Sequence, residues 1–122
     1  MSDSASSEAW PDELDALVAA PDYHTLAYEN DRVRVVITHV PPGHRTPVHT
    51  HRWPGLLHVV SRSDFVRRDD KGQVLVDTRK NNPNTPPSDF TWSAPLPPHS
   101  FENVGTVEFR VIAVELKDSL DS

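Results

Sequence analysis

The sequence predicts an all-β domain, an antiparallel sandwich or barrel preceded by one short helix. Twelve prolines recur between Pro11 and Pro98, and long helices have little uninterrupted room because proline breaks a helix interior. From Tyr23 onward, short β-branched runs are separated by proline, glycine and asparagine clusters. No helical pattern lies between these runs, so we expect the strands to pair antiparallel.

The N-terminal residues divide into an arm and a helix. Residues 1–10 are mostly serine, alanine and acidic residues without periodicity, which is typical of a disordered arm. Pro11 suits a first helical position, and two acidic residues follow it, which the positive end of a helix favours. Before Pro21 ends the run, apolar residues recur at helical spacing, namely Leu14, Leu17 and Val18. The pattern predicts one short helix over 11–20, packed outside the barrel.

The middle of the chain contains the clearest strands. In Val33–Val40 the residues Val33, Val35 and Ile37 alternate with more polar neighbours, and the run ends at a Pro-Pro-Gly turn. Further apolar runs follow at 56–60, 65–66 and 74–76. A turn of two aspartates, a lysine and a glycine separates the last two runs, which predicts a hairpin.

The remainder is predicted to hold one long loop and two more strands. Residues 79–88 contain three asparagines and three prolines, so they cannot form a central strand and are expected to be an exposed loop, a candidate lid. The last strands are predicted at 90–92 and 107–116, and a proline corner at 95–99 and a turn at 103–106 lie between them. The predicted organisation is thus an arm and helix over 1–22, a barrel over 23–118 and a tail over 119–122.

Composition excludes several functional classes. The 122 residues suffice for one domain, and without cysteine there is no disulfide framework, thiolate metal site or thiol catalyst. A net charge of −6 argues against nucleic-acid binding. No basic and apolar leader opens the sequence and no run of about eighteen apolar residues occurs, so a cytoplasmic location without membrane contact is expected.

Three histidines have a spacing that suggests a metal site. His49 and His51 form a His-x-His pair, and because alternate side chains of a strand share a face, their two rings converge on one side. His99 follows the proline-rich stretch, and Asn103 stands four residues later. Paired imidazoles on one strand face are suitable ligands for one ion.

These residues resemble the two motifs of a small single-domain cupin over roughly residues 30–117. Gly43, His49 and His51 match the first motif, and His99 and Asn103 match the end of the second. The resemblance implies a jelly-roll β-barrel, a divalent metal ion held by His49, His51 and His99, a small-molecule ligand or substrate, and a homodimer. A ligand would enter through the opening of the barrel.

The sequence departs from the cupin pattern at the acidic ligand. Gly55 and Leu56 stand where the family places a glutamate, and the second glycine of the first motif and the glycine of the second motif are also absent. The remaining pattern resembles the cupins that use three histidines only. Three neutral imidazoles leave the charge of the ion uncompensated, which favours an anionic ligand such as a carboxylate or enolate. Imidazole suits iron, zinc, nickel and copper alike.

His58 is a further candidate, as a catalytic proton carrier. It lies two residues after Leu56 and shares a strand face with it, so it is expected to point into the cavity, where it could also be a fourth ligand or a simple hydrogen-bonding residue. Other residues have structural as well as functional interpretations. Large aromatic residues are either cavity walls or core, namely Trp53, Trp92 and Phe101.

The remaining polar residues receive structural rather than chemical roles. Glu115 is expected to be paired with an arginine or exposed, and Asn103 to brace the corner that carries His99. Three histidines without a spacing signal are expected at the surface or in turns, namely His24, His39 and His44.

Three functions therefore stand open. The first is a metal-dependent enzyme, of dioxygenase or isomerase type, acting on a small oxygenated or carboxylate-bearing molecule. The second is a non-catalytic barrel that binds a small ligand with or without metal. The third is a metal-free structural barrel. Cupins host all of these on one scaffold, so the resemblance does not choose among them.

Overall fold

A computed structural model describes residues 10–80 and 88–117 and has an all-β architecture with one short helix near its start. The nine strands of the described residues are β1 (His24–Glu29), β2 (Val33–Val40), β3 (His49–His51), β4 (Gly55–Ser61), β5 (Phe65–Asp69), β6 (Val74–Asp77), β7 (Phe90–Ser93), β8 (Leu96–Asn103) and β9 (Phe109–Leu116). They form two antiparallel sheets, ordered β1-β2-β9-β4-β7 and β3-β8-β5-β6. Side chains of both sheets line one cavity, which confirms the predicted jelly-roll barrel.

The register of the five-stranded sheet decides which residues reach the interior. Val36 pairs with Ala113 and Thr38 with Val111, and of these four residues the two valines and the alanine are buried. Because directly paired residues share a face, the β-branched alternation of Val33, Val35 and Ile37 lies on the outer face. The inner face of β2 carries Arg34 and Thr38 together with the fully buried Val36 and Val40, so it is polar as well as apolar.

The predicted N-terminal helix is present but shorter and divided. A 3-10 turn spans Asp12–Leu14, and helix α1 spans only Ala16–Ala19. Asp15 between them has an extended backbone (φ −55°, ψ 141°), and its side chain accepts a hydrogen bond from Leu17 N–H as the N-cap of α1. The buried face is not the predicted one, since Ala16 is fully buried while Val18 is 60% exposed. Small residues let the segment pack closely against β1 and β3.

The predicted proline corner at 95–99 is wrong, because residues 96–99 belong to strand β8. Proline lacks the N–H that a sheet requires, and it is tolerated where its strand lacks a regular partner. The neighbour β3 has a bulge between His49 and His51, whose partners in β8 are His99 and Leu96. Pro97 and Pro98 therefore lie opposite the bulge, and His99 belongs to a strand and not to a corner.

Two turns shape the ends of the barrel. Gly43 has a positive φ of 83°, which glycine adopts without steric cost, and this explains the glycine after the two prolines that end β2. Asn103 is fully buried: its side-chain amide donates to the carbonyls of Val40 and Val107, and its carbonyl accepts from Ser63 Oγ and Gly105 N–H. Asn103 therefore braces the turn that follows β8, and not a corner that carries His99 as predicted.

Some predictions fall outside the described residues. These are the arm over 1–9, the centre of the lid loop at 81–87 and the tail from 118 onward. Among the residues that the structure does describe, none forms a helix of the length and apolarity needed to span a membrane.

Candidate metal centre

Four histidines, not three, meet at one end of the barrel interior. His49 and His51 come from β3, and His99 of β8 is paired directly with His49. The fourth is His24, the first residue of β1, which pairs with Thr38 of β2 and is 4% exposed. The prediction that His24 is a surface or turn residue is therefore wrong, because the β1–β2 register turns its ring inward.

The spacing of the rings matches a shared ion. Ring centroids lie 4.7 Å apart for His24 and His49, 5.0 Å for His49 and His51, and 5.3 Å for His24 and His51. One ring nitrogen from each of these three residues lies within 4.8 Å of the others. Zinc–nitrogen bonds of about 2.1 Å place neighbouring ligand nitrogens about 3.4 Å apart. Shifts of roughly 1 Å or less in the side chains would bring these nitrogens to that separation.

His99 borders this group of three. Its ring centroid lies 4.4 Å from that of His49 and 5.6 Å from that of His51. The structure thus brings the predicted residues His49, His51 and His99 together and adds His24 on the other side of His49. We call these four residues the histidine cluster.

The hydrogen bonds of the cluster orient all four rings in the same way. Backbone carbonyl oxygens, which can only accept, lie 3.0 Å from Nδ1 of His24, 2.8 Å from Nδ1 of His49 and 2.7 Å from Nδ1 of His99. Their Nδ1 atoms must therefore carry the proton and donate it. The fourth ring, His51, directs Nδ1 toward Glu115 Oε2 at 3.4 Å. This arrangement leaves the Nε2 lone pairs free to bind an ion.

Burial keeps the cluster uncharged. Loss of solvation and the neighbouring histidines lower the pKa of His24 and of His51 to about 3, and that of His99 to about 2. Loss of solvation also lowers the pKa of His49. A metal ion requires neutral imidazole, so these residues need not lose a proton to bind one at neutral pH. The donor set therefore fits a nitrogen-preferring divalent ion.

A buried charge network lies behind the cluster. Arg34 donates from Nε to Glu115 at 2.9 Å and, through its two terminal nitrogens, to both oxygens of Asp15 at 3.1 and 3.0 Å. Burial opposes the charge of Arg34, yet the hydrogen bonds and charges of the two carboxylates raise its pKa. For Glu115, burial raises the pKa despite the opposing charge of Arg34. Two carboxylates against one guanidinium leave this network one negative charge in excess.

Glu115 offsets the missing cupin glutamate. Gly55 occupies that place in the sequence, and Gly55 pairs directly with Glu115 across β4 and β9, so both share the inner face. The carboxylate thus enters from the neighbouring strand and reaches the cluster through His51. The predicted pairing of Glu115 with an arginine is confirmed.

His58 does not face the cavity. It shares a strand face with Leu56, as predicted, but that face is the outer one, because Leu57 and Val59 line the cavity. The His58 ring is exposed and stacks on Phe90 with 4.6 Å between ring centroids. The proposed catalytic role of His58 required an inward side chain, and the register of β4 against β9 gives the opposite orientation.

The cavity beside the cluster has a volume of about 360 Å³, which suits a small molecule. Phe101 stacks on Phe65 and contacts Phe109, with ring centroids 4.6 and 4.5 Å apart, so the predicted wall role of Phe101 holds. Trp53 also lines the cavity and lies under the Arg34 guanidinium at 4.8 Å. Trp92 borders the cavity as well but is 58% exposed.

The other histidines behave as predicted. His44 is exposed and bonds the hydroxyl of Tyr23, while His39 is half-exposed beside Glu108. His24 and Arg34 are the site residues that the sequence analysis did not identify. No spacing rule marks either, because strand register between distant segments places them.

Comparisons with known proteins support the fold. No family model matches the sequence, and no curated protein matches it either. Solved structures do match: a cupin domain from Bordetella pertussis Tohama I is 20% identical, with a TM-score of 0.58 over 77% of this chain and 91% of that chain. An RmlC-like cupin from Methanocaldococcus jannaschii is 10% identical, with a TM-score of 0.52 over 76% of this chain and 77% of that chain. The polyketide cyclase RemF from Streptomyces resistomycificus is 20% identical, with a TM-score of 0.50 over 80% and 67%. The described structure is thus similar to the cupin double-stranded β-helix.

Proposed function

We propose that this small cupin-fold chain binds a divalent metal ion through its histidine cluster and binds or transforms a small oxygenated or carboxylate-bearing molecule beside it. One observation carries the proposal: three buried rings and the partly buried ring of His51 converge with their Nδ1 atoms engaged and their Nε2 lone pairs free. Histidines that only completed a core would be expected to use both ring nitrogens in hydrogen bonds.

His24, His49 and His51 are the primary proposed ligands, and His99 completes the set. Iron, zinc, nickel and copper all accept imidazole, and the cluster alone does not select among them. When bound, such an ion supplies a Lewis acid that polarises an oxygen atom of the ligand. The protein holds the rings neutral, fixes their tautomers and offsets part of the ionic charge through Glu115.

The reaction class follows from what the cavity offers. The cavity has a large apolar wall for a ligand, and no nucleophile or thiol is needed for chemistry that a metal ion activates. Dioxygenase-like or isomerase-like chemistry is the enzymatic form of the proposal. The structural neighbour RemF is named as a polyketide cyclase, so a fold of this kind also serves enzymes.

Elemental analysis tests the metal proposal. The purified wild-type chain is expected to carry about one transition-metal ion, with loss of most of it in His49→Ala and in His24→Ala. His44→Ala is the matched control, because His44 is exposed and lies outside the histidine cluster, with its Nδ1 hydrogen-bonded to the Tyr23 hydroxyl. Equal metal content in all the variants, or none in the wild type after incubation with zinc, would contradict the proposal.

The alternative functions differ in their expected thermal stability and turnover. A non-catalytic ligand-binding barrel would bind metal or ligand and show higher thermal stability without turnover. A metal-free structural barrel would show no stability change with divalent ions, in the wild type or in His99→Ala. An iron-loaded enzyme of dioxygenase type would consume oxygen only when its substrate is present.

The cellular location and the oligomeric state of this protein are also proposals. A cytoplasmic location is expected from the sequence, and a homodimer from the cupin resemblance. The outer face around β4 and β7 carries exposed apolar side chains that a second copy could cover, namely Leu56, Phe90 and Trp92. Light scattering on the purified chain tests the dimer.

A further inference from the structure

Arg67 is a cavity residue that the metal site does not use. It lies in β5, paired with Phe101 of β8, and lines the same cavity as His51 and His99. Its positive charge acts on the cluster, since it contributes to the lowered pKa of both His51 and His99. Arg67 therefore stands at the boundary between the apolar wall and the histidines.

The guanidinium of Arg67 has no counter-charge in the described part of the chain. Its Nε atom is buried and makes no hydrogen bond, and burial lowers the pKa of Arg67 with no carboxylate acting to raise it. Arg34 differs from the half-buried Arg67, because Arg34 is buried more deeply and is held by Asp15 and Glu115. The loop segment 81–87 contains no acidic residue in its sequence.

A buried cation without a partner is costly, and such cost is common where a ligand completes the site. A guanidinium presents a planar fork of donors that matches a carboxylate with two parallel hydrogen bonds. The aromatic wall formed by Phe65, Phe101 and Phe109 lies beside it and offers an apolar surface for the rest of a ligand.

We propose that Arg67 binds the carboxylate of a small ligand whose apolar or aromatic body packs on the phenylalanine wall. The inference rests on the proposed function, because it names the ligand class of the same cavity. It assigns to Arg67 a specificity role: neutral analogues of equal shape bind more weakly. The carboxylate lies within electrostatic reach of the histidine cluster and so presents the ligand to the proposed metal site.

The test uses benzoate and its neutral analogue benzamide, titrated calorimetrically into the purified protein after removal of metal by a chelator and again after loading with zinc. Benzoate is expected to bind the metal-free protein at least about tenfold more tightly than benzamide, as expected for a charge-assisted bidentate contact. Arg67→Met is expected to abolish that preference. Arg68→Met is the control, since Arg68 is the next residue of β5 and pairs with Glu102 at 2.8 Å.

The outcomes separate this inference from the metal proposal. Benzoate that binds only the zinc-loaded protein, with equal affinity in wild type and Arg67→Met, would overturn the role of Arg67 and leave the metal site standing. A preference for benzoate that depends on Arg67 in a chain unable to hold metal would support Arg67 and reject the metal proposal. Equal binding of benzoate and benzamide would overturn the inference.

Thermal stability gives a second readout that does not depend on the choice of ligand. Without ligand, Arg67→Met is expected to melt at a higher temperature than the wild type, because a half-buried cation whose Nε lacks a partner is replaced by an apolar side chain of similar length. A melting temperature equal to or below that of the wild type would contradict the conclusion that Arg67 lacks a partner.

Discussion

Arg34 connects the two carboxylates of the charge network behind the histidine cluster. Arg34→Met is therefore expected to disrupt this network and to lower the free energy of unfolding. The substitution removes three hydrogen bonds to Asp15 and Glu115, both nearly inaccessible to solvent. Breaking a buried ion pair from one side costs about 3–5 kcal/mol because it leaves uncompensated buried charge. For a chain of this length, that loss corresponds to a decrease of roughly 10–20 °C in the melting temperature.

The pH dependence of the Arg34→Met deficit has a definite sign. Without the guanidinium, burial raises the folded-state pKa of Asp15 and Glu115 above the values in the unfolded chain. Groups with a raised folded pKa stabilise the fold when protonated and destabilise it as pH rises through that pKa. The stability deficit relative to the wild type is therefore expected to be largest at pH 7 and to shrink as the pH falls toward 4.

Urea unfolding of wild type and Arg34→Met at several pH values measures this deficit. Arg110→Met is the control, because Arg110 forms a comparable pair with Glu108 at 3.3 Å but its side chain is 41% exposed. An exposed pair contributes at most about 1 kcal/mol. A deficit for Arg34→Met no larger than that of Arg110→Met would refute the account of the network.

Three further predictions concern the site and its support. Glu115→Gln is expected to weaken zinc binding by about 10–100-fold in a competition titration with a chelating dye, since the residue orients His51; an unchanged affinity would remove Glu115 from the site. Metal-free protein is expected to lose stability as the pH falls below about 6.5, by up to about 2 kcal/mol per histidine at pH 5. Histidines of the unfolded chain take up protons in this range, whereas the pKa values of His24, His51 and His99 in the folded protein are only about 3, 3 and 2. Urea unfolding at each pH checks this, and flat stability from pH 7 to 5 would contradict it. Asn103→Ala is expected to cost about 2 kcal/mol or more in the same assay, because the buried carbonyl of Val40 and the partly buried carbonyl of Val107 lose their donor; a cost below 1 kcal/mol would show that water replaces the amide.

The fold class was predictable because several independent signals agree. Prolines exclude long helices, and β-branched runs alternate with turn residues, so antiparallel sheets follow from local chemistry alone. The His-x-His pair was likewise predictable, since strand periodicity places His49 and His51 together. These features depend on residues close in sequence.

The wrong predictions from the sequence concern which face of a strand points into the barrel. The alternation of Val33, Val35 and Ile37 in β2 does not mark the inner face, because the buried face carries Arg34 and Thr38 together with Val36 and Val40. The same ambiguity misplaced His58. A shift of one residue in register exchanges the two faces of a strand, and local sequence does not fix that choice where both faces carry apolar groups.

His24 and the charge network could not be predicted, because distant segments create them. His24 enters through the β1–β2 register, and Asp15 reaches Arg34 because small residues let the N-terminal helix pack closely. Strand register between distant residues is a tertiary property. A chain rich in histidine gives no local sign of which of its rings will meet.

Long-range ¹H–¹⁵N correlation spectra of the histidine rings test the central claim most directly. The metal-free protein is predicted to hold His24, His49 and His99 as neutral rings protonated at Nδ1, and added zinc is predicted to shift the Nε2 signals of these rings and of His51. Rings protonated at Nε2, or Nε2 signals that zinc leaves in place, would contradict a metal centre in this barrel.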